Sequence, residues 1–133
     1  MKKDKTNYLF VYGTLLKGFN NEMSHFLAEH SQFVEKGFFN GELYEVAGYP
    51  GAILSEKPTD KVYGSVYKVL DADLVFKALD TYEGIDVNAP ELDLYKRLKV
   101  KAYMDSGLSL QTWVYIYNRP ITSLQKISSG SYL

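Results

Sequence analysis

Phe33-Val34-Glu35-Lys36-Gly37-Phe38-Phe39-Asn40-Gly41-Glu42-Leu43-Tyr44-Glu45-Val46 is the stretch on which the fold turns. It reads as extended chain, interrupted by Gly37 and Gly41. Glycines inside a strand pattern mark bulges or sharp bends. Upstream, residues 22–29 have helical spacing, with Met23, Phe26 and Leu27 on one side, and predict a short helix. Before them, residues 15–21 hold Gly18 and two asparagines and read as a loop. Tyr8-Leu9-Phe10-Val11-Tyr12 is short, aromatic and β-branched, a strand ended by Gly13-Thr14.

Downstream, Gly48-Tyr49-Pro50-Gly51 is a turn, followed by a brief strand over residues 52–54. A further strand covers 62–69, with Val62, Gly64 and Val66 facing one way and Tyr63, Ser65 and Tyr67 the other. Residues 71–84 form the clearest helix. Asp71 is its N-cap, Leu74, Val75, Ala78, Leu79 and Tyr82 its apolar stripe, and Gly84 its stop. Residues 85–93 form a loop with Pro90. Residues 94–104 then alternate, Leu98, Val100, Ala102 and Met104 against Arg97, Lys99, Lys101 and Tyr103. Asp105-Ser106-Gly107 is a hairpin signal, and residues 110–117 return as a strand; the tail from Arg119 is polar and turn-rich. About six strands and two helices, with glycines at the bends, predict an α+β fold. Its sheet is either strongly curved and antiparallel or closed into a small barrel. The order is not an alternating βαβ pattern, so a doubly wound sheet is not expected. One domain spans 1–133, with residues 1–7 a flexible N-terminus.

Composition narrows the function classes. The 133 residues are 46% hydrophobic and 23% charged, ordinary for a globular chain. Cysteine is absent, which removes a disulfide framework, a thiolate metal site and a cysteine nucleophile. It also fits a reducing, cytoplasmic setting. The basic start is followed by only Tyr8 to Tyr12 as an apolar stretch, too short for a signal peptide. No apolar run approaches the ~20 residues of a membrane span. The formal charge of −1 gives no field for nucleic acid or anionic lipid. Twelve tyrosines stand out. Each brings a large apolar face with a hydroxyl tip, which suits strands and suits a pocket that is both greasy and hydrogen-bonding.

Glu83 closes the clearest helix. At about 100° per residue it projects on the side of Phe76 and Leu79 and near Ala72. On that reading a carboxylate points to the core at the negative end of the helix dipole. Desolvation and the dipole both raise its pKa, as a general acid/base requires. The other reading is that the helix frays at Tyr82 and Glu83 turns outward; spacing leaves both open. Tyr12-Gly13-Thr14-Leu15 follows a strand. Its backbone N–H groups form either an anion-binding nest or an ordinary strand-ending turn. Asp71, Asp73 and Asp80 read as cap and solvent-face residues, and His25 and His30 as surface-helix residues without metal-ligand spacing. Tyr95, Arg97, Lys99, Lys101 and Tyr103 share one strand face. The slightly acidic chain favours a solvated face over a single-strand nucleic-acid platform.

Taken in order, several segments resemble the γ-glutamylcyclotransferase-like (AIG2-like) family. These are Val11-Tyr12-Gly13-Thr14-Leu15-Leu16-Lys17-Gly18, Gly41-Glu42-Leu43-Tyr44, Gly48-Tyr49-Pro50-Gly51-Ala52 and Val62-Tyr63-Gly64-Ser65-Val66-Tyr67. Leu79-Asp80-Thr81-Tyr82-Glu83-Gly84, Tyr95-Lys96-Arg97, Trp113-Val114-Tyr115-Ile116-Tyr117 and Ile127-Ser128-Ser129-Gly130-Ser131-Tyr132 complete the set. The loop reads Gly-Thr-Leu where glutathione-pathway members read Gly-Ser-Asn, and Tyr132 stands where Trp is common.

The resemblance implies a small mixed β-barrel, mostly antiparallel, with peripheral helices and one cavity. It implies a cyclising acyl-transfer enzyme that needs no cofactor and no metal. The α-amine of a γ-glutamyl amide attacks its own γ-carbonyl, and 5-oxoproline and a free amine leave. Glu83 falls on the family's catalytic glutamate, and Tyr12, Gly13, Thr14 and Leu15 on its substrate-binding loop. Tyr117, with Tyr115 second, falls on a pocket-lining strand tyrosine. The expected partner is a small γ-glutamyl molecule, with no nucleic acid and no membrane. Residues 85–93 are the lid candidate. The alternative is a non-catalytic barrel that binds a small acidic metabolite.

Overall fold

The glycine-punctuated stretch forms a single long strand, β2 (Ser31–Glu45), in a computed structural model that describes residues 7–12, 22–46, 48–82 and 93–132. Its first part pairs antiparallel with β4 (Lys61–Val69), from Ser31↔Val69 to Asn40↔Lys61. Its far end, Gly41 to Glu45, pairs with β3 (Pro50–Leu54). Tyr44 and Glu45 also pair with β7 (Gln125–Lys126). Midway, Gly37 and Phe38 pair with Met104 and Tyr103 of β5 (Tyr95–Met104).

That last pairing closes the sheet. With β1 (Tyr8–Val11) and β6 (Ser109–Tyr117), the strand order β2–β4–β1–β6–β5 returns to β2. The result is a five-stranded barrel with β3 and β7 as extra strands. β1 and β6 run parallel, Leu9 beside Trp113, and every other pairing is antiparallel. Gly37 makes the closure sterically feasible. A Cβ there would lie 2.3 Å from the Tyr103 carbonyl oxygen, so any side chain would push β5 off β2.

The two-residue period of the strands sends alternate side chains to opposite faces. Phe10, Phe39, Val62, Val66, Ala102, Val114 and Ile116 are buried together in one cluster. Phe10 and Phe39 meet edge to face there, 5.2 Å apart. Leu9, Val11, Tyr67, Val69, Tyr115 and Tyr117 pack in a second cluster with Leu27 of α1 (Glu22–Glu29). Val75, Phe76 and Leu79 of α2 (Ala72–Tyr82) complete it. The barrel thus has an inner core and an outer layer shared with the helices.

Most predicted elements are present, with three differences. Asp71 caps α2 as expected, its carboxylate accepting from the Leu74 N–H at 3.3 Å. But the buried stripe is Val75, Phe76 and Leu79, whereas Leu74 and Tyr82 are exposed. Leu74 lies about 100° round from Val75, off the contact face, and Tyr82 stands three residues past Leu79 at the last described position of the helix. Pro50 and Gly51 belong to β3, so the turn is confined to Gly48, at φ +84°, and Tyr49. The polar tail contributes β7, too short to leave a periodic trace. The sheet is closed and carries one parallel pair, which is the small mixed, mostly antiparallel barrel expected.

Candidate active site

Of the expected site residues, Tyr12 and Tyr117 are described; Glu83, Gly13, Thr14 and Leu15 lie outside the described residues, as does the loop 85–93 except for Asp93. The residues from which these segments depart are described. Tyr12 ends the β1 segment, and Tyr82 ends α2.

Tyr12 is buried with the inner cluster, edge-on to Phe39 at 6.1 Å. Its hydroxyl donates to the Tyr115 carbonyl oxygen and accepts from the Ala52 N–H at 3.2 Å. β3 and β6 are not paired in the sheet, and this hydroxyl ties them. Tyr117 is buried with the outer cluster. Its ring lies against Gly51, where an added Cβ would come within 2.9 Å of Cγ. Thus Tyr12 and Tyr117 meet adjacent residues of β3, Ala52 and Gly51, from different clusters. They do not form one continuous wall.

Tyrosines gather on the Tyr117 side. The Tyr95 ring stands edge-on to Tyr117 at 5.8 Å, and Tyr49 is 6.5 Å from Tyr95. The Tyr95 hydroxyl donates to the Pro50 carbonyl oxygen, a second tie between β3 and the barrel wall. The antiparallel register Tyr95↔Tyr117 places these two side by side. No hydrogen bond links the Tyr117 hydroxyl to another described residue, whereas those of Tyr12 and Tyr95 are both engaged.

Tyr115 joins the two ends. Its carbonyl accepts from Tyr12, and its hydroxyl donates to Asp80 Oδ1 at 2.6 Å. Asp80 lies in the last turns of α2 and was expected on the solvent face. Instead its carboxylate is bound by Arg97, Nε to Oδ1 at 2.9 Å and Nη2 to Oδ2 at 3.2 Å. Arg97, expected on a solvated strand face, sits over the edge-to-face pair of Phe76 and Trp113, its guanidinium carbon 4.5 Å from each centroid. Planar, weakly hydrated guanidinium is suited to such stacking. One bonded chain therefore runs from Arg97 through Asp80 and Tyr115 to Tyr12 and Ala52. It links the end of α2 to the end of β1. Asp93, buried just before β5, fixes the return of the chain through its carbonyl, which accepts from Asn118 Nδ2 at 3.2 Å.

Two other tyrosines are electrostatically perturbed. Burial, and then the hydrogen bond to Glu42 at 2.8 Å, hold the Tyr44 hydroxyl above the ordinary tyrosine range. Burial and the neighbouring Glu45 do the same for Tyr132. A cleft of about 180 Å³ beside Glu42 is lined by Asp60, Lys61, Lys126 and Ser129 among others, and Lys126 already pairs with Glu42 at 3.3 Å. Among the described residues no three His, Asp or Glu side chains converge as metal ligands would. No helix among them is long and apolar enough to cross a membrane.

Residues 9–133 match the family model described as "Gamma-glutamyl cyclotransferase, AIG2-like". The chain is 30% identical over 126 residues to the gamma-glutamylcyclotransferase family protein YtfP of Escherichia coli strain K12, covering 94% of this chain and 95% of that one. It is 32% identical over 112 residues to the gamma-L-glutamyl-butirosin B gamma-glutamyl cyclotransferase of Niallia circulans, covering 84% and 67%. The crystal structure of a mouse AIG2-like protein superposes with a TM-score of 0.72 at 22% identity, over 96% of this chain and 88% of that one. That likeness establishes the shared barrel.

Proposed function

This chain belongs to the gamma-glutamyl cyclotransferase, AIG2-like family, and on that ground we propose that it cyclises a γ-glutamyl amide to 5-oxoproline and a free amine. The substrate's α-nitrogen attacks its own γ-carbonyl carbon. A C–N bond closes the five-membered lactam, and the original amide C–N bond breaks. Two protons leave the α-nitrogen as it passes from ammonium to lactam N–H, and both end on the departing nitrogen, which leaves as an ammonium. Nucleophile and electrophile share one skeleton, so the substrate supplies proximity once it is folded into a near-attack shape.

Three tasks are left to the chain. Glu83 takes a proton from the α-ammonium so that it can attack, and relays the protons shed by that nitrogen to the leaving amine. A carboxylate at its ordinary pKa of about 4.3 is a weak base for this, and one raised towards neutrality is a better match. The main-chain N–H groups of Gly13, Thr14 and Leu15, next to Tyr12, bind the developing oxyanion or the substrate carboxylate. Tyr117 lines the pocket and offers its hydroxyl, with Tyr95 and Tyr49 beside it as an aromatic flank. Tyr12 contributes through its backbone, because its own hydroxyl is committed to Tyr115 and Ala52.

The observation that supports this reading most is the bonded chain through Tyr115. It holds together the helix end that leads into Glu83 and the strand end that leads into Gly13. The relative from Niallia circulans, whose name gives gamma-L-glutamyl-butirosin B as its substrate, supports widening the substrate class beyond γ-glutamyl amino acids. The test is Glu83→Gln, assayed for 5-oxoproline release over γ-glutamyl amino acids, γ-glutamyl amines and ε-(γ-glutamyl)lysine. Loss of a general base lowers turnover by about 10²–10⁴-fold. Undiminished turnover would refute the assignment. Saturable binding of these compounds without ring closure would favour the non-catalytic barrel.

A further inference from the structure

Asp80, Arg97 and Tyr115 take no part in the chemistry above, yet they form a three-bond polar contact at that end of the barrel. We propose that these three are positioning residues, which clamp the last turns of α2 to β5 and β6 and so fix where the chain departs towards Glu83. The inference rests on the reading of Glu83 as the acid–base group.

Both carboxylate oxygens of Asp80 are held. Arg97 Nε and Nη2 take one each, at 2.9 and 3.2 Å, and the Tyr115 hydroxyl adds a third bond to Oδ1 at 2.6 Å. Arg97 comes from β5 and Tyr115 from β6, so two strands converge on one helix residue. The two are also cross-strand partners, Arg97↔Tyr115. Arg97 is itself confined, its guanidinium carbon 4.5 Å from the Phe76 ring and 4.5 Å from the Trp113 ring, two rings that meet edge to face in a corner. Phe76 belongs to α2, one turn before Asp80. The helix therefore grips one guanidinium twice, by a ring and by a carboxylate. A fork engaged at both prongs and seated in an aromatic corner resists rotation and sliding, which a single point charge does not.

Glu83 follows Asp80 by three residues. At most ~3.6 Å of chain per residue separates them, so its Cα starts within about 11 Å of that of Asp80. The same two strands carry the Tyr95↔Tyr117 pair, two positions from the clamp. The aromatic flank and the origin of the acid-bearing segment thus share one rigid frame. Catalytic groups need placement to within about 0.5 Å, and a 1 Å error costs about 10²-fold in rate. An ion pair that only stabilised the fold would change melting and leave kcat alone.

The full chain is assayed as wild type, Glu83→Gln, Asp80→Asn, Arg97→Lys and Tyr115→Phe, on whichever γ-L-glutamyl amide of the panel the wild type turns over fastest. Folded Asp80→Asn and Arg97→Lys proteins are expected to lose about 10–100-fold in kcat, with KM changed by no more than about twofold. The double variant should lose little beyond the worse single, because both break one clamp. Amide hydrogen exchange at residues 79–82 should quicken in the same variants. Tyr115→Phe removes one hydroxyl only, should lower kcat by about three- to tenfold, and decides the matter if the charged variants fail to fold. With Glu83→Gln inactive, wild-type kcat in the clamp variants overturns this inference alone; so does a raised KM with kcat intact. Wild-type turnover by Glu83→Gln, or no 5-oxoproline from the wild type, overturns the acid–base reading and the clamp's role with it.

Discussion

Replacing Tyr12 by Phe removes one oxygen, and the structure sets what that costs. The hydroxyl donates to the Tyr115 carbonyl and accepts from the Ala52 N–H, inside the core, in a residue only 6% exposed. Without it the Ala52 N–H loses its acceptor and the Tyr115 carbonyl one of its donors. A buried donor left unsatisfied costs about 1–3 kcal/mol. The carbonyl keeps a second lone pair, so its share is smaller. The expected loss is about 2–3 kcal/mol. For 133 residues, at about 2.1 cal/mol/K of unfolding entropy each, the midpoint entropy is about 280 cal/mol/K. The melting temperature should then fall by about 7–11 °C. Calorimetry and urea denaturation followed by circular dichroism measure both quantities. Tyr63→Phe is the control, since Tyr63 is 44% exposed, and it should stay within about 0.5 kcal/mol of wild type. A Tyr12→Phe protein as stable as that control would refute the idea that this hydroxyl lashes β3 to β6.

Gly51→Ala should displace Tyr117, because the new Cβ would sit 2.9–3.0 Å from three of its carbon atoms. Overpacking of this kind costs about 1–3 kcal/mol, and moving the ring should lower kcat/KM by about 10–100-fold, read in the same 5-oxoproline assay. Alkaline pH should destabilise the protein through Tyr44 and Tyr132. Both hydroxyls have pKa values raised above 10.0 in the fold, so above about pH 10 the unfolded chain holds fewer protons than the native one and stability falls as pH rises. Their contribution is fully present below pH 10 and lost on passing through the raised values. Tyr44→Phe should make the urea midpoint less steep in pH above 10, and an unchanged slope would contradict the assignment.

The residues differ in how much of this they disclose unaided. Gly37 and Gly41 mark the places along β2 where its partner strands change, since a glycine there has a local, steric meaning, whereas the register shift itself falls at Phe33/Glu35. The closing pair of Gly37 and Phe38 with Met104 and Tyr103 leaves no such trace, because its partners are distant in the chain and neither strand changes its period to receive the other. Asp80 departs from its expected solvent-facing place for a related reason. On a helix a carboxylate off the apolar stripe looks solvent-facing, and the partners that recruit it lie on two strands. One signal was available. The turn at Asp105-Ser106-Gly107 fixes the hairpin register, which sets Arg97 beside Tyr115 and Tyr95 beside Tyr117. From that register the shared face of Arg97, Tyr115 and Trp113 follows, and an arginine among aromatics is seldom a plain surface charge. Tyr12 and Tyr117 were both expected at a pocket. Strand alternation sends them to different clusters, which the spacing of each strand alone does not reveal.

The chemistry itself is tested most directly by following oxygen. A γ-glutamyl amide is incubated with the protein in water enriched in oxygen-18, and the products are weighed by mass spectrometry. Ring closure by the substrate's own nitrogen consumes no water, so the prediction is 5-oxoproline and free amine in equal amounts, with no heavy oxygen in the lactam. Glutamate carrying one heavy oxygen would mean that water is the nucleophile, and would contradict the cyclising mechanism.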